Sequence, residues 1–171
     1  MNPNLSTIMV AAAPARTSSF CAACESAFHR EQRLAWQFDA WAVEYLRLFP
    51  EADRAAIAST RRASNRAKRS VSQQVKSLGG TVARIPVVNC EPGGGAALPR
   101  AARRLHAIYA ANARHIVHLS RALDALPMSA LNLRFAVQQV ADAAQLRADT
   151  LRDLFLQGQR RARREVMSMA A

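Results

Sequence analysis

Pro50, the Gly79–Gly80 pair, Pro99 and Pro127 divide the chain, and the segments they bound carry apolar residues three and four positions apart. That spacing is one face of an α-helix. In the first segment the face is Cys24, Phe28, Ala35, Phe38, Trp41 or Ala42, Tyr45 and Phe49. In the second it is Ala56, Thr60, Ala63, Ala67, Val71, Val75 and Leu78, a thin row of small side chains. The third runs through Leu105, Ile108, Asn112, His115 or Ile116, Leu119, Leu123 and Leu126. The fourth runs through Leu133, Val137, Val140, Ala144, Ala148, Leu151, Phe155, Gly158 and Ala162.

The expectation is therefore an all-α chain with helices over about 19–49, 51–78, 99–126 and 129–167. Thr17, Ser18 and Ser19 are candidate N-caps for the first. Pro50 ends it and opens the second, placing Glu51 and Asp53 near the positive end of that helix's dipole. Gly79 and Gly80 stop the second, and Gly158 marks a kink or fraying point in the last. Residues 18–167 then form one domain, preceded by a disordered tail, 1–17. The tail has an apolar stretch, Leu5 to Ala13, but no basic residue before it, so it makes a poor secretion signal. No apolar run reaches the length of a membrane span.

Half of the 171 residues are apolar and only 6% are aromatic. Alanine-rich helices with so few aromatics favour close packing. Short breaks at Pro50 and Pro127 imply antiparallel neighbours, and an up-down-up-down, antiparallel four-helix bundle is the simplest arrangement. Residues 79–98 contain TVARIPVV and EPGGG, which read as an irregular loop or a short β-hairpin between helices 2 and 3. A connection that long inside a compact bundle is unusual.

The net charge is +12, from 24 basic and 12 acidic residues. Such a chain is drawn to polyanions. The densest basic run is Arg61, Arg62, Arg66, Lys68, Arg69 and Lys76, with no acidic residue among them. Arg100, Arg103 and Arg104 follow Gly93–Gly95 at a helix start, and Arg160, Arg161, Arg163 and Arg164 stand near the C-terminus. In an up-down-up-down bundle these clusters meet at one end, while Glu44, Glu51, Asp53 and Asp124 meet at the other. Cations at a helix N-terminus oppose the dipole, a cost that a bound phosphate would offset. Aromatic residues do not interleave with the basic runs, so base stacking is not expected.

Cys21-Ala-Ala-Cys24 with Phe20, Phe28 and Leu34 has the opening spacing of a two-Cys two-His zinc finger, but Gln37 and Trp41 stand where its histidines belong. Cys21, Cys24, Cys90 and His29 would together give tetrahedral zinc three thiolates and an imidazole. A lone Cys-x-x-Cys with one distant partner is a weak pattern, and no βαβ unit surrounds it to suggest a redox dithiol. His115 and His118 share a helix face, but there is no Glu-x-x-His for a di-iron bundle. The three cysteines fit a reducing cytoplasm.

The functional expectation is a non-enzymatic, cytoplasmic accessory protein without a cofactor. It would contact the nucleic-acid phosphate backbone through the basic end of a bundle. The alternatives are an interaction bundle (adaptor, chaperone or structural component) that meets an acidic protein or a second copy of itself, and, more remotely, a metal-binding helical protein.

Overall fold

The structure, a computed structural model, describes residues 13–79 and 97–169. They form four helices, α1 (Ala13–Leu48), α2 (Arg54–Ser77), α3 (Ala97–Ala125) and α4 (Leu131–Met169). The expected hairpin or loop over 79–98 falls, apart from its ends, outside the described residues, as does most of the expected N-terminal tail.

The helix ends follow from local chemistry. α1 begins at Ala13, six residues before the expected start, so Thr17, Ser18 and Ser19 lie within it rather than capping it. Pro14 is tolerated there because first-turn N–H groups have no intrahelical acceptor. α1 stops at Leu48, since Phe49 precedes Pro50 and is kept out of helical geometry. Pro50 belongs to the turn and not to α2. Asp53 is the N-cap of α2, its Oδ1 accepting from the Ala56 N–H at 2.9 Å. Gly79 ends α2 at φ 79°, a left-handed conformation natural to glycine. At the α3–α4 turn, Arg134 Nη1 donates to the carbonyls of Leu123 (2.7 Å) and Leu126 (2.6 Å), which satisfies oxygens at the end of α3.

The helices pack as a bundle around two apolar clusters. The first joins Cys24 and Ala27 of α1, Val71 and Val75 of α2, Leu119 of α3 with Leu126 just beyond it, and Leu133 to Ala144 of α4. The second joins Phe38, Trp41 and Tyr45 of α1, Ile57 of α2, Leu105 and Ile108 of α3, and Leu151 and Leu154 of α4. The start of α1 thus lies with the ends of α2 and α3 and the start of α4. Its end lies with the starts of α2 and α3 and the end of α4.

That pairing differs from the expected up-down-up-down order. α1 and α4 run one way, and α2 and α3 the other. Each helix packs chiefly on two neighbours of opposite direction; among the described residues α2 and α3 make no contact. The sequence between Gly79 and Ala97 therefore joins opposite ends of the bundle, and its length reflects that distance.

α4 is 39 residues long, roughly 58 Å at the α-helical rise. It runs unbroken through Gly158, where a Cβ would stand 3.4 Å from the Tyr45 hydroxyl. The glycine serves close approach to Tyr45 and Phe49, and the helix neither ends nor frays there. Tyr45 donates to the Leu154 carbonyl at 2.5 Å, tying α1 to α4. No helix among the described residues is long and apolar enough to cross a membrane.

Candidate functional site

α2 carries no acidic residue, and its basic residues sort into two groups by position. Arg61 points toward α1, where its Nε donates to Asp39 Oδ1 at 2.6 Å. Lys68 is half-buried on the same side. Loss of water holds its ammonium below the ordinary lysine value, against the opposing pull of Glu31 and Asp39. Arg62, Arg66, Arg69 and Lys76 are exposed. Their steps of four, three and seven residues keep them on one outward face. None of the four has an ion pair among the described residues. From Arg62 to Lys76 the row extends about 21 Å.

The other expected basic residues are elsewhere. Arg104 donates to Glu44 at 2.7 Å, fixing the start of α3 beside the end of α1. Arg161 pairs with Glu51 and stands 5.7 Å from the centre of the Phe49 ring. With Arg160 and Arg164 it lines a cleft of about 700 Å³ that also contains Asp53; Arg163 is exposed. The side chains of Arg100 and Arg103 lie outside the described residues. The three basic clusters do not share one end. Arg104 and the α4 cluster lie with Glu44, Glu51 and Asp53, the acidic residues expected opposite them, while Lys68 to Lys76 lie at the other end. The physical reason is that α3 runs parallel to α2.

The zinc candidates are not brought together by what is described. Cys24 is buried in the first apolar cluster. His29 is half-buried, its ring edge-on to Phe28 at 5.9 Å. Cys90 and the side chain of Cys21 lie outside the described residues. Among the described residues no group of three or more His, Cys, Asp or Glu side chains is placed to hold a metal ion.

A feature the sequence reading missed lies between the two apolar clusters. Glu31 of α1, Ser64 of α2, Asn112 and His115 of α3 and Arg147 of α4 are all buried, so every helix contributes. Arg147 forms an ion pair with Glu31, and its Nη1 donates to Asn112 Oδ1 at 2.7 Å. Ser64 donates to Glu31 Oε1 at 2.5 Å, and Asn112 Nδ2 to the Ala144 carbonyl at 2.7 Å. His115 Nε2 stands 3.5 Å from Glu31 Oε2. Thr60 and Thr150 share a hydrogen bond of 2.8 Å one turn further along. Burial pushes the Glu31 carboxyl up, but His115, Arg147 and Ser64 together outweigh it and leave the group below its ordinary value. The layer is thus an ionised carboxylate held by a guanidinium inside the bundle.

No protein-family model matches the chain, and no curated protein or solved structure matches it either.

Proposed function

We propose that the protein binds nucleic acid, without catalysis, through the phosphate backbone along the outward face of α2. The observation that carries this is the row Arg62, Arg66, Arg69 and Lys76, four exposed cations on one helix face with no carboxylate on that helix. Arg61, Arg104 and Arg161 already have acidic partners. The unpaired row is therefore the part of the positive surface best able to displace the counterions condensed on a polyanion. A single row of guanidinium and ammonium groups matches a backbone, and it offers no means of reading base edges. Arg160, Arg163 and Arg164, near the end of α4, form a second basic surface at the other end of the bundle.

The test is duplex DNA binding as a function of salt. Replacing Arg62, Arg66, Arg69 and Lys76 with glutamine reduces the slope of log K against log salt by about 3–4, near 0.9 per lost contact. An equal number of substitutions at Arg61, Arg104, Arg161 and Arg152, the last paired with Asp149 and Asp153, changes it far less. Binding that ignores salt, or a slope unmoved by the α2 substitutions, contradicts the proposal.

One observation favours a second reading, an interaction bundle. Met128, Leu131 and Phe135 are 71%, 66% and 64% exposed around the start of α4, the end of the bundle that also holds Lys76. An acidic protein with an apolar anchor, or a second copy of the chain, fits such a surface. Light scattering that shows self-association, abolished by Phe135→Ser, would support this reading.

A further inference from the structure

Between α1 and α3 a cavity of about 190 Å³ opens beside the buried polar layer. Ser26 and Arg30 of α1 and His115 and His118 of α3 line it, with Leu119 and Ala122 as apolar wall. His115 is 3% exposed, and among the described residues neither of its ring nitrogens makes a hydrogen bond. Nε2 faces Glu31 Oε2 at 3.5 Å, a long contact, and Nδ1 has no hydrogen-bond partner among the described residues. A buried imidazole nitrogen without a hydrogen-bond partner, as Nδ1 is here among the described residues, is uncommon in a folded protein. The ring forms the inner wall of a cavity whose rim is a guanidinium, a second imidazole and a hydroxyl.

We propose that this cavity binds a small phosphate-class oxyanion, free or as the terminal group of a small molecule. Arg30, Ser26 and His118 hold it at the rim, and His115 donates to it from within. The donor set matches the ligand. A tetrahedral oxyanion spreads its acceptor oxygens in three dimensions, toward donors that stand on two helices, whereas a carboxylate holds its two oxygens in one plane. Arg30 gives the charge-assisted contact that such oxygens favour, and the volume leaves room for a few further heavy atoms.

The electrostatics point the same way. Among the described residues the lining contains no carboxylate. The Arg30 guanidinium from α1 chiefly holds the His118 imidazole below its ordinary value; loss of water, Arg121 and His115 add to this. Glu31 lies behind His115 and is already engaged by Arg147 of α4. An anion seated among these groups relieves the repulsion between Arg30 and His118 and favours the protonated imidazole. The site is separate from the α2 face, because α2 packs on α1 and α4 and not on α3.

The experiment follows the four histidine rings of the full-length protein by nitrogen-15 NMR across pH. It uses inorganic phosphate, glycerol phosphate, and chloride at matched ionic strength. The expected result is that phosphate raises the His118 titration midpoint by about 1 pH unit relative to chloride. Arg30→Gln should abolish the rise, and Arg47→Gln, at the far end of α1, should leave it intact. His115→Asn should weaken phosphate binding at least about tenfold, the loss of one strong contact. Tighter binding of glycerol phosphate than of inorganic phosphate identifies an organic phosphate as the ligand, and equal binding identifies the free anion. Arg30 and His118 are exposed, so their variants remain folded, and Arg30→Gln decides the matter even if His115→Asn does not fold. A His118 midpoint that responds to phosphate no more than to chloride overturns the proposal. So does a rise that survives Arg30→Gln.

Discussion

At the scale of single residues, Arg147 and Glu31 are the most consequential positions. Both side chains are fully buried, and they come from diagonal helices. Breaking a buried ion pair leaves one charge without water or partner, which costs about 3–5 kcal/mol. Arg147→Met should therefore lower unfolding free energy by that amount in urea denaturation. The double variant Glu31→Met, Arg147→Met should recover most of the loss, because a well-packed apolar pair of similar volume is often as stable. Acid should act on the same pair. Glu31 has a folded-state value below its unfolded one, so its contribution is fully present above the ordinary glutamate value of 4.5. It is lost as pH falls from there through the folded value. Stability curves for the parent should fall across that acid range, and Glu31→Gln should remove part of the fall while lowering stability at pH 7.

These residues left a trace in the sequence that helix-face reading passes over. Glu31 stands seven residues from both Cys24 and Phe38. Ser64 stands seven from Ile57 and Val71, Asn112 seven from Leu105 and Leu119, and Arg147 seven from Val140 and Leu154. Each is a polar residue in the middle of an otherwise apolar row. Asn112 and His115 could be placed on the inward face of α3, but charged side chains are usually assigned to solvent. Only the fold shows that the four interruptions coincide at one level.

At the scale of elements, the boundaries were legible where proline or glycine fixes the backbone. The end of α1 at Pro50, the end of α2 at Gly79 and the break at Pro127 all follow from the residue itself. The start of α1 was not legible, because cap-forming side chains at Thr17 to Ser19 are equally compatible with a helix that began earlier. Gly158 misled for a related reason. A glycine in a helix reads as a weak point, yet its missing side chain also lets another helix come near, and here Tyr45 does. On α4 the inward row passes through Leu154, while Phe155 is 40% exposed. On α2 the basic run was visible as composition. Its division into paired Arg61, half-buried Lys68 and the free outward row required knowing where α1 lies.

At the scale of the whole molecule, the helix order was not legible, because periodicity says which face is buried and not which helix covers it. The one available clue was the length of the sequence between Gly79 and Ala97, which exceeds the usual 2–8 residues of a bundle turn. α2 has 24 residues and is roughly 36 Å long, so a crossing needs at least about 11 extended residues. A variant with about five residues left between Ser77 and Ala97 reaches only ~20 Å. It should lose the monomeric fold, seen by circular dichroism as loss of helix or by light scattering as exchange of helices between chains. A variant retaining about fourteen should melt like the parent. If the short variant folds as a stable monomer, the helix order described above is wrong.

The buried polar layer also bears on how helices this rich in alanine settle on one alignment. Small side chains present shallow ridges, and two such helices can slide past each other by a turn with little change in contact. One turn is about 5.4 Å. A shift of that size would carry Arg147 away from Glu31 and Asn112 and set a bare guanidinium against alanine and valine. A shift of α1 against α4 therefore strands a charge, and a shift of α2 or α3 strips that pair of its hydrogen bond to Ser64 or Asn112. The ion pair can add little to net stability and still act as the detent that sets the axial position of all four helices.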